Sequence, residues 1–316
     1  MESVKKRQSH LQMKPNSIIK AARKEFHRAL LAGILTVDKK GVPNIADADS
    51  EASTVIAKGV VQQVGAAVTQ IKEAGQTSGK KFEEAVADYL RSTFLKLEHL
   101  RPGQWEVRDR RSSKSVEISN FEQYEHLAKL IEMIESDSSV AAALGADYLI
   151  TPDVVVLRHP EAEERLNKPT CIADESVARL TPLRKLNRPD VRTNLKGKEV
   201  PNETVLLHAS VSCKWTLRSD RAQNARSEAL NLIRNRKGRV PHIVAITAEP
   251  LPSRIASLAL GTSDLDCVYH IALRELQAAV ANLTSTGRSD QAKELATLVD
   301  GKRLRDIGDL PLDLAI

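Results

Sequence analysis

Aromatic residues are scarce in this 316-residue chain, at 3%. That argues against a platform that stacks the bases of a single nucleic-acid strand. Cysteine is scarce too. Cys171, Cys213 and Cys267 are an odd, widely spaced set that makes neither a zinc pattern nor a disulfide framework. The reading is a reducing, cytoplasmic setting. The polar start Met1–Arg7 leads into no signal-peptide core, and the apolar run Ala29–Val37 is too short to span a bilayer. No membrane partner is expected. No internal repeat or low-complexity segment occurs either.

What is present is 41% hydrophobic and 28% charged residues, the balance of an ordinary globular protein with enough length for a large core. The net charge of +6 is modest, but its distribution is not. Arg179 to Arg239 holds 15 Lys and Arg against 5 Asp and Glu, a net of +10, which leaves the remainder at −4. All of the positive excess lies in one fifth of the chain, an electrostatic footprint for a polyanion.

Apolar spacing predicts helices over about 16–36, 51–73, 80–99 and 121–144, with a short edge strand near Trp105 inside a loop at 101–118. Strands follow at 147–158, broken at Pro152, and at 204–215, 240–248 and 267–271. Helices near 221–236, 253–261, 272–283 and 288–300 alternate with them. The expectation is one α/β domain over 1–316, a mixed central sheet flanked by helices. Its helical N-terminal portion covers about 1–145, the sheet core about 146–275, and C-terminal helices the rest.

The strand at 204–215 alternates, and Leu206, His208, Ser210, Ser212 and Lys214 share one mostly polar face, which suggests a cleft. Asp153 follows Pro152 at the head of Val154-Val155-Val156, where an aspartate is costly unless paired or bound to metal. Alone, each has an ordinary explanation: a turn aspartate, and a strand-end lysine with its head in water. Together they form the pattern of the PD-(D/E)XK nucleases. Such chemistry needs carboxylates to hold Mg²⁺ and a lysine to orient the nucleophile or steady developing charge. The usual second acid, two positions before the lysine, is replaced by Ser212. Glu228 is the substitute: seven residues after Arg221, it shares a helical face with that arginine. Glu83, bordering the apolar face of its helix, is a supporting site residue.

Four residues beyond Lys214 comes Arg218-Ser219-Asp220-Arg221. Guanine presents two acceptors in the major groove, which arginine meets bidentately, and cytosine presents a donor, which a carboxylate accepts. Two arginines and one aspartate match half of a C-C-G-G palindrome. The competing reading is a helix-start cap and ion-pair cluster.

The stretch S-C-K-W-T-L-R-S-D-R at 212–221, with Glu228, Pro152-Asp153 and G-Q-T-S-G-K-K-F-E at 75–83, resembles the NgoMIV-type restriction endonucleases, type II enzymes that cut within a C-C-G-G core. The resemblance covers most of the chain. It implies a restriction-endonuclease-like fold with Asp153, Lys214, Glu228 and Glu83 catalytic. Asp153, Glu228 and the backbone carbonyl of Cys213 would hold one or two Mg²⁺ ions per site. Arg218, Asp220 and Arg221 would read C-C-G-G. Asp47 and Arg254 would read an outer pair and Gln76 the minor groove, with G-C-C-G-G-C the preferred site and staggered ends carrying 5′-phosphates. The partner is double-stranded DNA. A homotetramer is implied, a dimer being the minimum a palindrome requires. A cognate methyltransferase is a functional companion rather than a bound one. The alternatives are a non-catalytic DNA-binding protein on the same scaffold, or a repair nuclease that cuts by structure.

Overall fold

The computed structural model describes residues 17–65, 75–112, 114, 116–144, 150–174, 176–178, 181–184, 191–193, 199–201, 205–261, 264–284 and 289–316. Among these, the strands are β1 (Gln104–Asp109), β2 (Val154–His159), β3 (Val191–Thr193), β4 (Glu199–Pro201), β5 (Leu206–Lys214), β6 (His242–Thr247), β7 (Cys267–His270) and β8 (Leu304–Asp306). The helices are α1 (Ile18–Leu31), α2 (Glu51–Val64), α3 (Gly75–Thr93), α4 (Ala128–Ser136), α5 (Ser138–Leu144), α6 (Glu163–Leu166), α7 (Ser219–Asn235), α8 (Pro252–Ala259), α9 (Leu273–Thr284), α10 (Ser289–Asp300) and α11 (Leu310–Asp313).

Six strands form one mixed sheet in the order β1-β2-β5-β6-β7-β8. β1, β2 and β5 run antiparallel to one another, and β5 to β8 pair in parallel. β3 and β4 make a separate antiparallel pair. Val154 to Leu157 of β2 are fully buried, as are Ala209 and Val211 of β5. Continuous apolar runs of this kind belong to strands covered on both faces, and each buried valine or leucine side chain stabilises the fold by about 1.5–3 kcal/mol.

Helix packing closes the core around this sheet. α2 lies against α9, and α1 against α3. Gly59 of α2 permits the first contact, because a Cβ there would stand 2.8 Å from the Cβ of Ala279. Phe82 of α3 meets Trp215, just past β5, edge to face at 5.0 Å between ring centres. That contact docks the start of α3 on the end of the central strand, next to Glu83.

Several boundaries differ from expectation. The helix expected at 121–144 divides into tight 3₁₀ turns up to Leu127, then α4 and α5. Asp137 ends α4 because its carboxylate takes the Ser139 N–H at 2.8 Å and starts a new helix. Of the strand expected at 147–158, residues 147–149 lie outside the described residues, 150–153 are not in a strand, and β2 starts at Val154, after Pro152. The polar face of β5 is not an open cleft. His208, Ser210 and Ser212 are buried, with His208 enclosed by Phe94, Trp105 and His242. Only the two ends of this face, Leu206 and Lys214, are part-exposed.

Candidate active site

The antiparallel pairing of β2 with β5 sets Val154 opposite Val211. Asp153, one residue before β2, therefore sits beside the last residues of β5. Its Oδ2 accepts the Cys213 backbone N–H at 2.8 Å and the Lys214 Nζ at 3.3 Å. α7 leaves β5 through a short turn and returns Glu228 to the same place, with Oε2 3.9 Å from Lys214 Nζ. The pairing of β1 with β2 sets Asp109 opposite Val154, so Arg110 follows beside Asp153. Arg110 lies 3.8 Å from Asp153 Oδ1 and 3.5 Å from Glu83 Oε2. Asp153, Lys214, Glu228 and Glu83, singled out in sequence, thus meet around one point. Arg110 is the member that sequence reading missed.

Burial sets the electrostatics of the acids here. Burial and the Asp153 charge push Glu83 up to about pKa 7, against the pull of Arg110 and Lys214. Burial also raises Glu228, and Lys214 only partly opposes it. Burial disfavours the Lys214 ammonium, but Asp153 and Glu228 outweigh that and raise its pKa. Ser212, in the position of the missing acid, keeps its hydroxyl buried without a hydrogen bond of normal geometry, close enough to Glu228 to favour that carboxylate slightly. The Cys213 thiol is buried and its pKa raised by desolvation, so it is no thiolate ligand.

These donors fit a hard cation. They are oxygens, carried by carboxylates of which burial disfavours Glu83 and Glu228 in the charged form. Among the described residues no three His, Cys, Asp or Glu side chains form a ready-made metal cage. Mg²⁺ does not need one, since it is held by one or two carboxylates with water and substrate phosphate completing the shell. Asp153 and Glu228 are the carboxylates that suit this role, with the Cys213 N–H bonded to Asp153.

The R-S-D-R residues occupy the start of α7. Arg218 is its N-cap residue, Asp220 and Arg221 lie in the first turn, and both arginines are exposed. Arg221 donates from Nη1 to Thr216 Oγ1 at 3.2 Å. A groove of about 380 Å³ opens here, lined by Asn44, Ala46, Ala48, Thr216, Arg218 and Arg221. Asp47, in the loop before α2, pairs with Arg254 of α8 through a direct ion pair. Arg254 holds the Asp47 carboxyl below the usual range, and Arg218 adds to the effect. The structure therefore brings Asp47, Arg254, Arg218 and Arg221 to one face. Gln76 falls in the first turn of α3. The side chains of Gln76 and Asp220 lie outside the described residues.

Glu249 was also missed. It follows β6 and is fully buried, with its carboxylate bonded to Leu217 N at 2.8 Å and Leu251 N at 3.2 Å. The available signal was local: an acid between an apolar strand and a proline, in A-I-T-A-E-P at 245–250. For Arg110 the signal was the charged run D-R-R at 109–111, just after the edge strand.

A mixed sheet whose adjacent central strands present an aspartate and a lysine at one end, joined by an acid from the next helix, defines a nuclease of the restriction-endonuclease-like PD-(D/E)XK class. Comparison with known proteins narrows this. The family model described as NgoMIV restriction enzyme matches residues 26–316. The type II restriction enzyme NgoMIV of Neisseria gonorrhoeae is 46% identical over 302 residues, which cover 95% of this chain and 100% of that protein. The chain accordingly belongs to the NgoMIV restriction enzyme family and is a type II, site-specific deoxyribonuclease.

Proposed function

We propose that the enzyme hydrolyses double-stranded DNA within a palindrome that has a C-C-G-G core, G-C-C-G-G-C being the whole site. The reaction depends on Mg²⁺ and leaves staggered ends with 5′-phosphates. The observation that carries this reading is the join between two sites: β5 ends in Lys214, beside Asp153 and Glu228, and four residues later the chain reaches Arg218 at the groove.

Bound Mg²⁺ supplies charge neutralisation at the scissile phosphate and an activated water. Asp153 and Glu228 would hold it. Asp153 also fixes Lys214 through its Oδ2, so the ammonium is aimed into the site rather than into solvent. There it orients the nucleophile and steadies the charge that develops on the phosphate. Glu83 lies next to Arg110.

Arg218 and Arg221 supply bidentate donors for the two guanines of a half-site, and Asp220 accepts from the cytosines. Asp47 and Arg254, already paired with each other, carry the same acid-and-arginine chemistry and suit an outer C·G pair. Gln76 suits a minor-groove contact. The two-fold symmetry of the site calls for at least two copies of the chain, and the family resemblance favours a tetramer. A methyltransferase that protects the same sequence is the functional companion.

Run-off sequencing of DNA digested in Mg²⁺ tests the proposal in one step. The expected result is a single class of staggered end within C-C-G-G. Scattered ends, or ends at another sequence, would overturn it.

A further inference from the structure

We infer that Glu249 is a positioning residue for sequence reading, a buried carboxylate that sets the inner and outer base-reading helices in register with each other. This rests on the proposed roles of Arg218, Arg221 and Arg254 and extends them.

The geometry is specific. Glu249 lies in the segment between β6 and α8, and its side chain is closed off from solvent. One carboxylate oxygen accepts the N–H of Leu217, the residue before the α7 N-cap Arg218. The other accepts the N–H of Leu251, the N-cap residue of α8. α7 carries Arg218 and Arg221 in its opening, and α8 carries Arg254 in its first turn. A single side chain thus holds the entry of both helices. Arg254 Nη1 also stands 4.0 Å from Glu249 Oε1, so the carboxylate lies behind the guanidinium that pairs with Asp47.

Two further bonds fix the clamp itself. The Glu249 N–H donates to Thr247 Oγ1 at 3.1 Å, and the Ala248 N–H donates to Trp215 O at 3.1 Å. Trp215 is locked in turn by Phe82. A buried carboxylate is retained at a cost unless its acceptors are filled, and here two backbone donors fill them. An apolar side chain could pack the same space, but it could not bond two loops at once. Base contacts tolerate little displacement, because a bidentate pair requires both donors in line. Loosening this one residue therefore moves inner and outer readers together.

The test is equilibrium binding in Ca²⁺ to three short duplexes: one with G-C-C-G-G-C, one with the outer pair changed to A-C-C-G-G-T, and one with the inner pair changed to G-C-T-A-G-C. For Glu249→Gln, which keeps the volume but loses an acceptor and the charge, both discrimination ratios should fall about tenfold or more, on the scale of a mismatched pair. Binding to unrelated duplex should stay unchanged. Arg254→Ala should lower the outer ratio alone. If Glu249→Gln fails to fold, Glu249→Asp, one methylene shorter, should show a smaller loss in both ratios. A folded variant at Glu249 that keeps the inner ratio of the unaltered enzyme overturns the inference. Failure of the underlying reading looks different: the unaltered enzyme would not separate the three duplexes, or Arg218→Ala and Arg221→Ala would leave the inner ratio intact.

Discussion

Arg23 and Lys214 are both largely buried cations set between two carboxylates, yet their surroundings are opposites. Arg23 on α1 makes four hydrogen bonds of 2.6–2.9 Å to Glu275 and Asp306, and Asp306 also accepts the N–H groups of Leu273 and Gly308. Burial works against both of those carboxylates, but their bonds to Arg23 prevail and hold them below their usual range. Around Lys214 the contacts are longer, at 3.3 and 3.9 Å, and Arg110 stands off at 3.5 and 3.8 Å. There burial prevails, and Glu83 and Glu228 are raised. One cluster is saturated and ties α1 to α9 and β8. The other is met by longer contacts and has burial prevailing over them, which suits the proposed uptake of a cation. Charged residues inside a fold are thus told apart by how completely their charge is met.

The comparison can be broken from either side. The largest effect is expected for Asp153→Asn, which should lower cleavage by about 10³-fold or more through lost support for the metal and for Lys214. Its thermal melt should stay near that of the unaltered protein, because the amide oxygen can still accept the Cys213 N–H. Cleavage rates and melting curves on one preparation check this. Arg23→Ala should do the reverse. Leaving Glu275 and Asp306 unpaired should cost about 3 kcal/mol in chemical denaturation, with the cleavage rate of the folded fraction unchanged.

A smaller effect follows from Glu83. Below about pH 4.5 its carboxyl is protonated in folded and unfolded chains alike and costs nothing. As pH rises toward its folded value of about 7, the unfolded chain ionises first, so folding loses stability across that window. The loss is constant above it. Glu83→Gln should flatten this part of the stability curve in chelator, by about 1 kcal/mol after allowance for solvent screening, while slowing cleavage. An unchanged curve would show that Glu83 is fully compensated, as Glu275 is.

How far the site was legible in sequence depended on range. Lys214, the R-S-D-R block and Glu228 lie within 15 residues and share one strand and one helix, so spacing alone related them. Asp153 stood out because an acid at the head of a valine run is costly. Arg110 did not, because its role arises only from the register that sets β1 beside β2. Glu249 did not, because its local signal, an acid before a proline, does not tell that backbone donors from two different loops meet on it. β8 was invisible for a similar reason: three residues, Leu304 to Asp306, become a strand only by pairing with β7. The polar face of β5 misled, since its histidine is packed against Phe94 and Trp105 from distant segments and its serines are buried.

The most direct test of the division between cutter and reader is Lys214→Ala, assayed for cleavage in Mg²⁺ and for binding to a G-C-C-G-G-C duplex in Ca²⁺. Cleavage should fall by about 10²–10³-fold or more, while preference for that duplex over an unrelated one is kept. Cleavage at close to the unaltered rate would contradict the account.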